Sequence, residues 1–157
     1  MTNEFNADDI FEMAVKIEQN GALFYRDAAG QIEGKKNKDF LLELARMEEE
    51  HELIFSNLKK ELTAQEKLAT IFDPEDENIL YLKAFADSKV FFKKEKPGSN
   101  FKTILNCAIQ TEKDSIVFYL GIKELVSEKY GRSKIDIIIK EEMGHIRLLA
   151  GKLTELY

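Results

Sequence analysis

Residues 44–55 read LARMEEEHELIF and lie inside a helical pattern that runs from about Lys36 to Leu62. Apolar side chains recur in this pattern at steps of three and four, which is the spacing of one face of an α-helix. The stripe consists of Phe40, Leu44, Glu48, His51, Phe55 and Leu58. Glu48 and His51 therefore interrupt an otherwise apolar, inward-facing surface, where a polar side chain needs a partner.

The same pattern returns 94 residues later in the chain. Residues 138–149 read IIKEEMGHIRLL and place Glu142 and His145 at the positions equivalent to Glu48 and His51. The chain has only two histidines, and each of them follows a glutamate by three positions. The match indicates an internal repeat.

The repeat extends to a second pair of glutamates. Residues 14–18 read AVKIE and residues 108–112 read AIQTE, so the same offset of 94 places Glu18 opposite Glu112. Each of these glutamates lies 33 positions before one of the histidines. The sequence thus predicts two related helical hairpins.

Three further helical patterns complete the predicted bundle, in which the pattern from about Lys36 to Leu62 is the second helix. The first helix follows Asn6, a suitable N-cap, and runs to about Gly30. The third helix runs from about Asn100 to Ser127, and the fourth helix follows Gly131. Their inward stripes are Ile10, Ala14, Ile17, Glu18, Gly21, Tyr25 and Ala28; Ile104, Ala108, Glu112, Ser115, Tyr119, Ile122 and Val126; and Ile135, Ile138, Glu142, His145, Leu149, Leu153 and Leu156.

The connections between these patterns predict the topology. The link at residues 30–35 is short, which makes the first two helices antiparallel neighbours, whereas residues 63–99 form a long connection with one shorter helix at about Glu75 to Phe91. A connection of this length can return the chain along the bundle. We therefore expect an all-α, antiparallel four-helix bundle with one long crossover between helices two and three, in a single domain over residues 1–157.

Six polar residues lie on the stripes near the middle of the predicted bundle: Glu18, Glu48, His51, Glu112, Glu142 and His145. A buried carboxylate costs several kcal/mol unless it is neutralised, and no Lys or Arg lies on the stripes at these levels. Glu48 and His51 are one helical turn apart and can reach one ion together. Glu18 and Glu112 can bridge or cap a pair of ions from across the core. Divalent metal ions are the expected partners.

The ligand types restrict the metal. Carboxylates and imidazoles without a thiolate suit iron, manganese or zinc, and ligand type does not choose among them. Four carboxylates balance two divalent ions, which mildly favours a redox couple. We expect two iron ions, with manganese or zinc as alternatives, and a small oxidant, peroxide or oxygen, as substrate. The alternative function is iron handling without catalytic turnover.

The residues that carry this site resemble the rubrerythrin-like branch of the ferritin-like superfamily, through Glu48-x-x-His51, Glu142-x-x-His145 and the two partner glutamates. The resemblance covers the four main helices. It implies a ferritin-like bundle, non-haem di-iron binding, reduction of peroxide or oxygen, and often a homodimer.

The resemblance also extends to two tyrosines. Tyr25 and Tyr119 each lie seven residues after a partner glutamate, and the 94-residue offset aligns them with each other. They resemble the family's tyrosines that hydrogen-bond to carboxylates of the opposite half.

The sequence departs from the family pattern in two respects. One cysteine, Cys107, cannot form the rubredoxin-like iron module that feeds electrons to full-length rubrerythrins, so a separate electron-donor protein is expected. Typical members also carry a second glutamate one turn along the third helix, whereas the flanking positions here are Ile109 and Ser115. The second departure weakens the transfer of the peroxidase mechanism.

Residues beside the expected ligands allow more than one interpretation. Glu49, Glu50 and Glu141 point off the stripes and are expected to be surface charges. Gly21 and Gly144 lie in helix interiors, where glycine costs about 1 kcal/mol relative to alanine. Either close helix packing or an opening for a small oxidant would explain the two glycines.

Charge and hydropathy exclude other classes. The formal net charge of -6 does not suit nucleic-acid binding, and no run of about 18 apolar residues occurs that could span a membrane. The polar, acidic residues 1–9 do not resemble a signal peptide. We expect a soluble, cytoplasmic protein.

Overall fold

The computed structural model describes residues 6–62, 77–88 and 97–157, and it contains five α-helices and one short 3-10 helix within these ranges. The helices are α1 (Ala7–Gln31), α2 (Lys35–Glu61), α3 (Glu77–Ser88), α4 (Phe101–Lys123), the 3-10 helix Glu128–Tyr130, and α5 (Arg132–Glu155). The described ranges contain no β-strand. The all-α prediction is confirmed, and no helix in these ranges is long and apolar enough to cross a membrane.

Side-chain caps begin two of the long helices. The Asn6 side chain accepts a hydrogen bond from the backbone N–H of Asp9 (2.9 Å), and the Asp9 carboxylate accepts one from the backbone N–H of Asn6 (3.2 Å). Asn100 caps α4 by accepting from the backbone N–H of Thr103 (3.0 Å). These bonds satisfy N–H groups that have no partner inside the helix.

Helix α4 ends four residues before the predicted end at Ser127, which corrects the sequence-based boundary. The chain turns after Lys123, and the backbone N–H of Val126 donates to the carbonyl of Ile122 (3.1 Å). Val126 is nevertheless buried, so the apolar stripe continues through the turn. Periodicity alone could not separate a buried turn residue from a helical one.

Gly131 allows the sharp change of direction before α5. Its φ is 103°, a left-handed conformation that favours glycine. A Cβ atom at this position would lie 2.5 Å from a methyl group of Leu58. Both constraints favour glycine where the second hairpin closes.

Side-chain contacts define the directions of the helices. Lys59 forms an ion pair with Glu12, and Gln19 donates a hydrogen bond to Glu52 (2.8 Å), so α1 and α2 are antiparallel. Helices α2 and α5 are also antiparallel, because His51 contacts Glu141 while Leu58, further along α2, lies beside Gly131 at the start of α5.

Two hydrogen bonds define the pairing of α1 with α4. Tyr25 bonds to Glu112 and Tyr119 bonds to Glu18, so the two helices run in opposite directions. Helices α2 and α4 are both antiparallel to α1, and they therefore run in the same direction. The chain must consequently return along the bundle between them, which confirms the predicted long crossover.

Part of this crossover is described by α3. The ends of the predicted helix Glu75–Phe91 lie outside the described residues, and Glu77–Ser88 lies within the prediction. Leu82 is fully buried. The crossover helix thus contributes to the core.

Aromatic side chains of α3 pack on α4. The rings of Phe85 and Phe118 have centroids 6.2 Å apart in an edge-on arrangement. The Tyr81 ring lies against Gly121, where an added Cβ would be 3.0 Å from the nearest ring carbon. This close approach uses the absence of a side chain at position 121.

The core consists of two apolar clusters with a polar layer between them. One cluster contains Phe11, Phe55, Phe118, Ile122, Ile135 and Ile138, and the other contains Ala28, Leu41, Leu44, Ile104, Leu105 and Leu149. Most predicted stripe residues are buried, but Leu156 is 47% exposed because it follows the last residue of α5. Phe40 and Leu153 are half-buried.

A pair of glycine substitutions tests the packing of α3. Gly151→Ala adds a methyl group in open space inside a helix and should stabilise the protein by roughly 0.5–1 kcal/mol. Gly121→Ala gives a similar gain in helix propensity but pushes on the Tyr81 ring, and overpacking costs about 1–3 kcal/mol. Urea unfolding should therefore show that Gly121→Ala is the less stable variant. Equal stabilisation by both substitutions would contradict the contact between α3 and α4.

Candidate metal centre

The structure brings together all six polar residues that were expected to bind metal. They come from four helices, Glu18 from α1, Glu48 and His51 from α2, Glu112 from α4, and Glu142 and His145 from α5. None of the six is more than 4% exposed. They form the polar layer between the two apolar clusters, and their role as metal ligands stays a prediction.

The six side chains form two overlapping clusters. Glu18 and His51 belong to one cluster and Glu112 and His145 to the other, while Glu48 and Glu142 belong to both. Within each cluster the potential ligand atoms all lie within 4.8 Å of one another. The geometry is that of two adjacent ion positions in which Glu48 and Glu142 can bridge. Of the two roles considered for Glu18 and Glu112, it favours capping.

Both histidines direct Nδ1 into the polar layer. His51 Nδ1 lies 3.0 Å from Glu142 and 3.4 Å from Glu48, and His145 Nδ1 lies 3.1 Å from Glu142 and 3.6 Å from Glu48. The two rings stack with their centroids 5.5 Å apart. Each ring therefore offers one nitrogen to one of the two positions.

Two buried tyrosines hold the capping carboxylates. Tyr25 Oη donates a hydrogen bond to Glu112 Oε1 (2.5 Å), and Tyr119 Oη donates to Glu18 Oε1. Burial, together with the adjacent carboxylate, raises the pKa of each phenol well above its usual value, so the phenols remain donors. Each tyrosine lies in one hairpin and each bonded carboxylate in the other, as the resemblance implied.

The donor set fits a pair of divalent cations. Glu48 Oε2, Glu142 Oε2 and His145 Nδ1 are buried and form no hydrogen bond within the described part of the chain. Among the described residues, no Lys or Arg forms an ion pair with any of the four carboxylates of the site. Oxygen and imidazole donors without sulfur suit iron, manganese or zinc.

Burial and mutual repulsion disfavour ionised carboxylates in the metal-free site. Burial first, and then the neighbouring carboxylates, raise the pKa values of Glu48 and Glu142 well above the usual range. Burial also acts on Glu112, but its close contacts with Glu142 and His145 outweigh burial and lower its pKa to about 2. In the metal-free site, Glu112 therefore favours the ionised form, whereas Glu48 and Glu142 favour the protonated form.

The imidazoles respond in the opposite direction to burial. Burial lowers the pKa of His145, but the nearby carboxylates of Glu112, Glu142 and Glu48 outweigh burial and raise the pKa to about 12. The pKa of His51 is raised for the same reason, by Glu142, Glu18 and Glu48. Without metal, protonated imidazoles supply the positive charge that two cations would otherwise supply.

Sequence reasoning missed one contact of the site. Glu49 and Glu50 form surface ion pairs with Arg26 and Arg46, as expected for surface charges. The Glu141 side chain is also half exposed, but its Oε2 lies 2.6 Å from His51 Nε2. Position 141 is off the inward stripe of α5, so helical periodicity does not predict its contact with His51. The contact depends on how closely α2 and α5 pack.

An open groove of about 280 Å³ lies between α2 and α5, above the two histidines. It is lined by Arg46, Met47, Glu50, His51, Glu141, Gly144, His145, Arg147 and Leu148. A Cβ on Gly144 would meet nothing within 4 Å, so Gly144 opens the groove rather than permitting close packing. The groove provides a route from solvent to the imidazole side of the site.

The opposite side of the site, between α1 and α4, is more enclosed. A cavity of about 10 Å³, roughly the space of one water molecule, is lined by Gly21, Ser115, Glu48 and Glu112 among others. A Cβ on Gly21 would lie 3.5 Å from Glu48, an ordinary contact distance. Ser115 donates its hydroxyl to the Thr111 carbonyl (3.0 Å).

Removal of metal should make stability fall as pH rises. In the metal-free protein, folding raises the pKa values of Glu48, Glu142, His51 and His145 above the unfolded values, which are 4.5 for glutamate and 6.5 for histidine. The stability that each group contributes is fully present below its unfolded pKa and is lost as pH rises through its folded pKa. Between pH 6 and 9 the Tm of chelator-treated protein should fall by at least about 2–4 °C, the shift that about 1 kcal/mol produces in a domain of this size. Calorimetry in the presence of a chelator measures this change.

The metal-loaded protein is the control, because bound cations replace the protons and bind more tightly as pH rises. Its Tm should hold or rise over the same interval. Glu112 acts in the other direction and removes stability only as pH falls from 4.5 towards about 2. Identical pH profiles for the chelated and loaded protein would contradict a charge-balanced metal site.

Comparisons with known proteins agree with this geometry. The family model described as Rubrerythrin matches residues 9–153. A search of curated proteins finds no similar sequence. Among solved structures, a protein from Thermotoga maritima described as a ferritin-like diiron-carboxylate protein is 24% identical over 100% of both chains, with a TM-score of 0.71, and it shows that the fold is ferritin-like. Because the family model spans almost the whole length, the chain belongs to the rubrerythrin family.

Proposed function

We propose that this protein is a di-iron oxidoreductase that reduces peroxide or oxygen at the metal centre in the bundle core. The observation that carries the proposal is the pair of buried clusters that share Glu48 and Glu142, each completed by one further glutamate and one histidine. The description of the Thermotoga maritima protein as a diiron-carboxylate protein supports iron as the metal.

Charge balance supports a redox-active metal at this site. Four carboxylates compensate two divalent ions, and iron bound there would supply electrons to a small oxidant by passing from the ferrous to the ferric state. Zinc has no such couple. Peroxide and oxygen are small enough to reach a site that is bounded by apolar side chains at both ends.

The protein's own residues hold and orient this centre. Glu48 and Glu142 would be shared by both ions, and Tyr25 and Tyr119 fix the orientation of the carboxylates of Glu112 and Glu18. The apolar clusters on either side exclude bulk water and strengthen the interactions between the carboxylates and cations. The groove beside Gly144 admits small molecules and reducing equivalents from the solvent side.

Electrons come from a separate donor protein on this proposal. One cysteine, Cys107, cannot hold a rubredoxin-type iron, and it forms no disulfide. The half-exposed Glu141 and the groove connect the surface to the imidazoles. A homodimer, which the resemblance implies, is also proposed, and sedimentation of the purified protein tests it.

Iron handling without turnover is the second candidate function. Ile109 and Ser115 favour it, because these residues flank Glu112 where the resemblance implies a second glutamate one turn along the helix. Such a protein would oxidise its bound iron once and then retain or release it. A ferritin-sized shell in solution would support storage, whereas a monomer or dimer would exclude mineral storage.

Single- and multiple-turnover oxidation separate the two functions. Protein loaded anaerobically with two ferrous ions per chain is mixed with one equivalent of hydrogen peroxide or oxygen, and the near-ultraviolet absorption of ferric iron is followed with time. We expect oxidation within seconds and sustained consumption of peroxide when a chemical reductant is present. One oxidation cycle followed by iron release, with no turnover, would contradict the enzyme and support iron handling.

Substitution of shared and capping ligands should affect stoichiometry differently. Glu48→Ala removes a carboxylate common to both clusters and should abolish tight binding of both ions, whereas Glu18→Ala should leave one ion per chain. Elemental analysis after gel filtration measures the ratio of metal to protein. Glu43→Ala is the matched control, because this exposed glutamate lies on α2 and pairs with Arg46.

Binding of two ions per chain by both Glu48→Ala and Glu18→Ala would refute the ligand assignment. The same stoichiometry in the two variants, at one ion each, would contradict the shared role of Glu48.

A further inference from the structure

The internal repeat relates the two expected metal positions to each other. One pair of equivalent residues close to the histidines differs in chemical type. The 94-residue offset that superimposes all six expected ligands places Glu141 opposite Met47. Both residues line the groove above the imidazoles. A carboxylate therefore lies on one side of the groove and a thioether at the equivalent place on the other.

Glu141 contacts the outer nitrogen of His51. Its Oε2 lies 2.6 Å from His51 Nε2, while Nδ1 of the same ring faces Glu142 at 3.0 Å. An imidazole that binds a cation through Nδ1 carries its proton on Nε2, and that N–H points at the Glu141 carboxylate. With a cation on Nδ1, this hydrogen bond would fix both the tautomer and the plane of the ring.

His145 lacks this support. Its Nδ1 faces Glu142 at 3.1 Å and Glu112 at 3.4 Å, but in the described part of the chain no carboxylate bonds to its Nε2. The equivalent position is occupied by Met47, whose sulfur is only a weak hydrogen-bond acceptor. The two imidazoles thus differ in basicity and in how firmly they are held.

We infer that Glu141 is a positioning residue that makes the two metal positions unequal, so that the position beside His51 fills first and binds its ion more tightly. The inference rests on the metal centre of the proposed function, but it requires only binding and no catalysis. A carboxylate partner on a metal-bound histidine typically changes metal affinity by about 10- to 100-fold. The two positions should differ by a factor in this range.

The surface location of Glu141 is consistent with this role. Its side chain is 51% exposed, yet its hydrogen-bond partner is only 2% exposed. The bond therefore connects a buried ligand to the rim of the groove. Substitution at this half-exposed position need not disturb the packing of the core.

Cobalt(II) titration of the metal-free protein under anaerobic conditions tests the inference. Visible absorption and calorimetry follow binding, and wild-type protein should bind two ions in two resolved steps. Glu141→Met, which makes this position identical to Met47, should lower the affinity of the first step about 10- to 100-fold and merge the two steps. Met47→Glu should instead strengthen the weaker step.

Two measurements distinguish positioning from a general effect of charge. Glu50→Met removes a carboxylate from the same groove that pairs with Arg46 rather than with a histidine, and it should leave the steps resolved. Proton NMR of the cobalt form should show an exchangeable Nε2–H resonance of His51 that is protected in the wild type and exchanges faster in Glu141→Met. Glu141→Gln keeps an acceptor oxygen and should give an intermediate affinity.

The inference is overturned if Glu141→Met leaves the first step within about twofold of wild type, or if Glu50→Met lowers it equally. Failure of wild-type protein to bind two cobalt ions would overturn the metal centre itself, and hence both proposals. Two resolved steps that persist in Glu141→Met would overturn the role of Glu141 alone.

Discussion

Four carboxylates in a dry core constrain the rest of this structure. Glu18, Glu48, Glu112 and Glu142 lie close together with almost no exposure to water, and such a group is stable only if positive charge lies among them. In the metal-free protein two imidazoles supply that charge through short contacts. Two divalent ions would compensate all four carboxylates and leave the histidines neutral. The core of the bundle is therefore suited to binding cations, whether or not the protein is an enzyme.

The repeat explains how one chain builds this place. Each hairpin contributes a glutamate from its first helix and a Glu-x-x-His pair from its second, and each hairpin's tyrosine bonds to a carboxylate of the other. The long crossover returns the chain so that the hairpins meet in antiparallel pairs, which brings equivalent residues to the same height. Departures from the repeat then carry information. Glu141 opposite Met47, and Gly21 opposite Ser115, give the two halves different surroundings.

Much of the fold and the composition of the polar layer could be predicted from sequence, because both depend on local periodicity and on the repeat. The cap at Asn6 and the inward direction of His51 follow from such patterns. The contact of Glu141 with His51 could not be predicted, because it depends on the distance between two helices 90 positions apart in the chain. The packing of Tyr81 on Gly121 is non-local in the same way. The early end of α4 was missed because Val126 is buried in a turn.

Anomalous X-ray diffraction at the iron absorption edge tests the central claim most directly. Crystals of protein loaded anaerobically with ferrous iron should show two anomalous peaks per chain inside the bundle. Both peaks should contact the carboxylates of Glu48 and Glu142, and each should lie beside Nδ1 of one histidine. Peaks confined to surface carboxylates, or a core without anomalous signal in protein that has retained its iron, would contradict the claim that the buried charges are organised around a pair of metal ions.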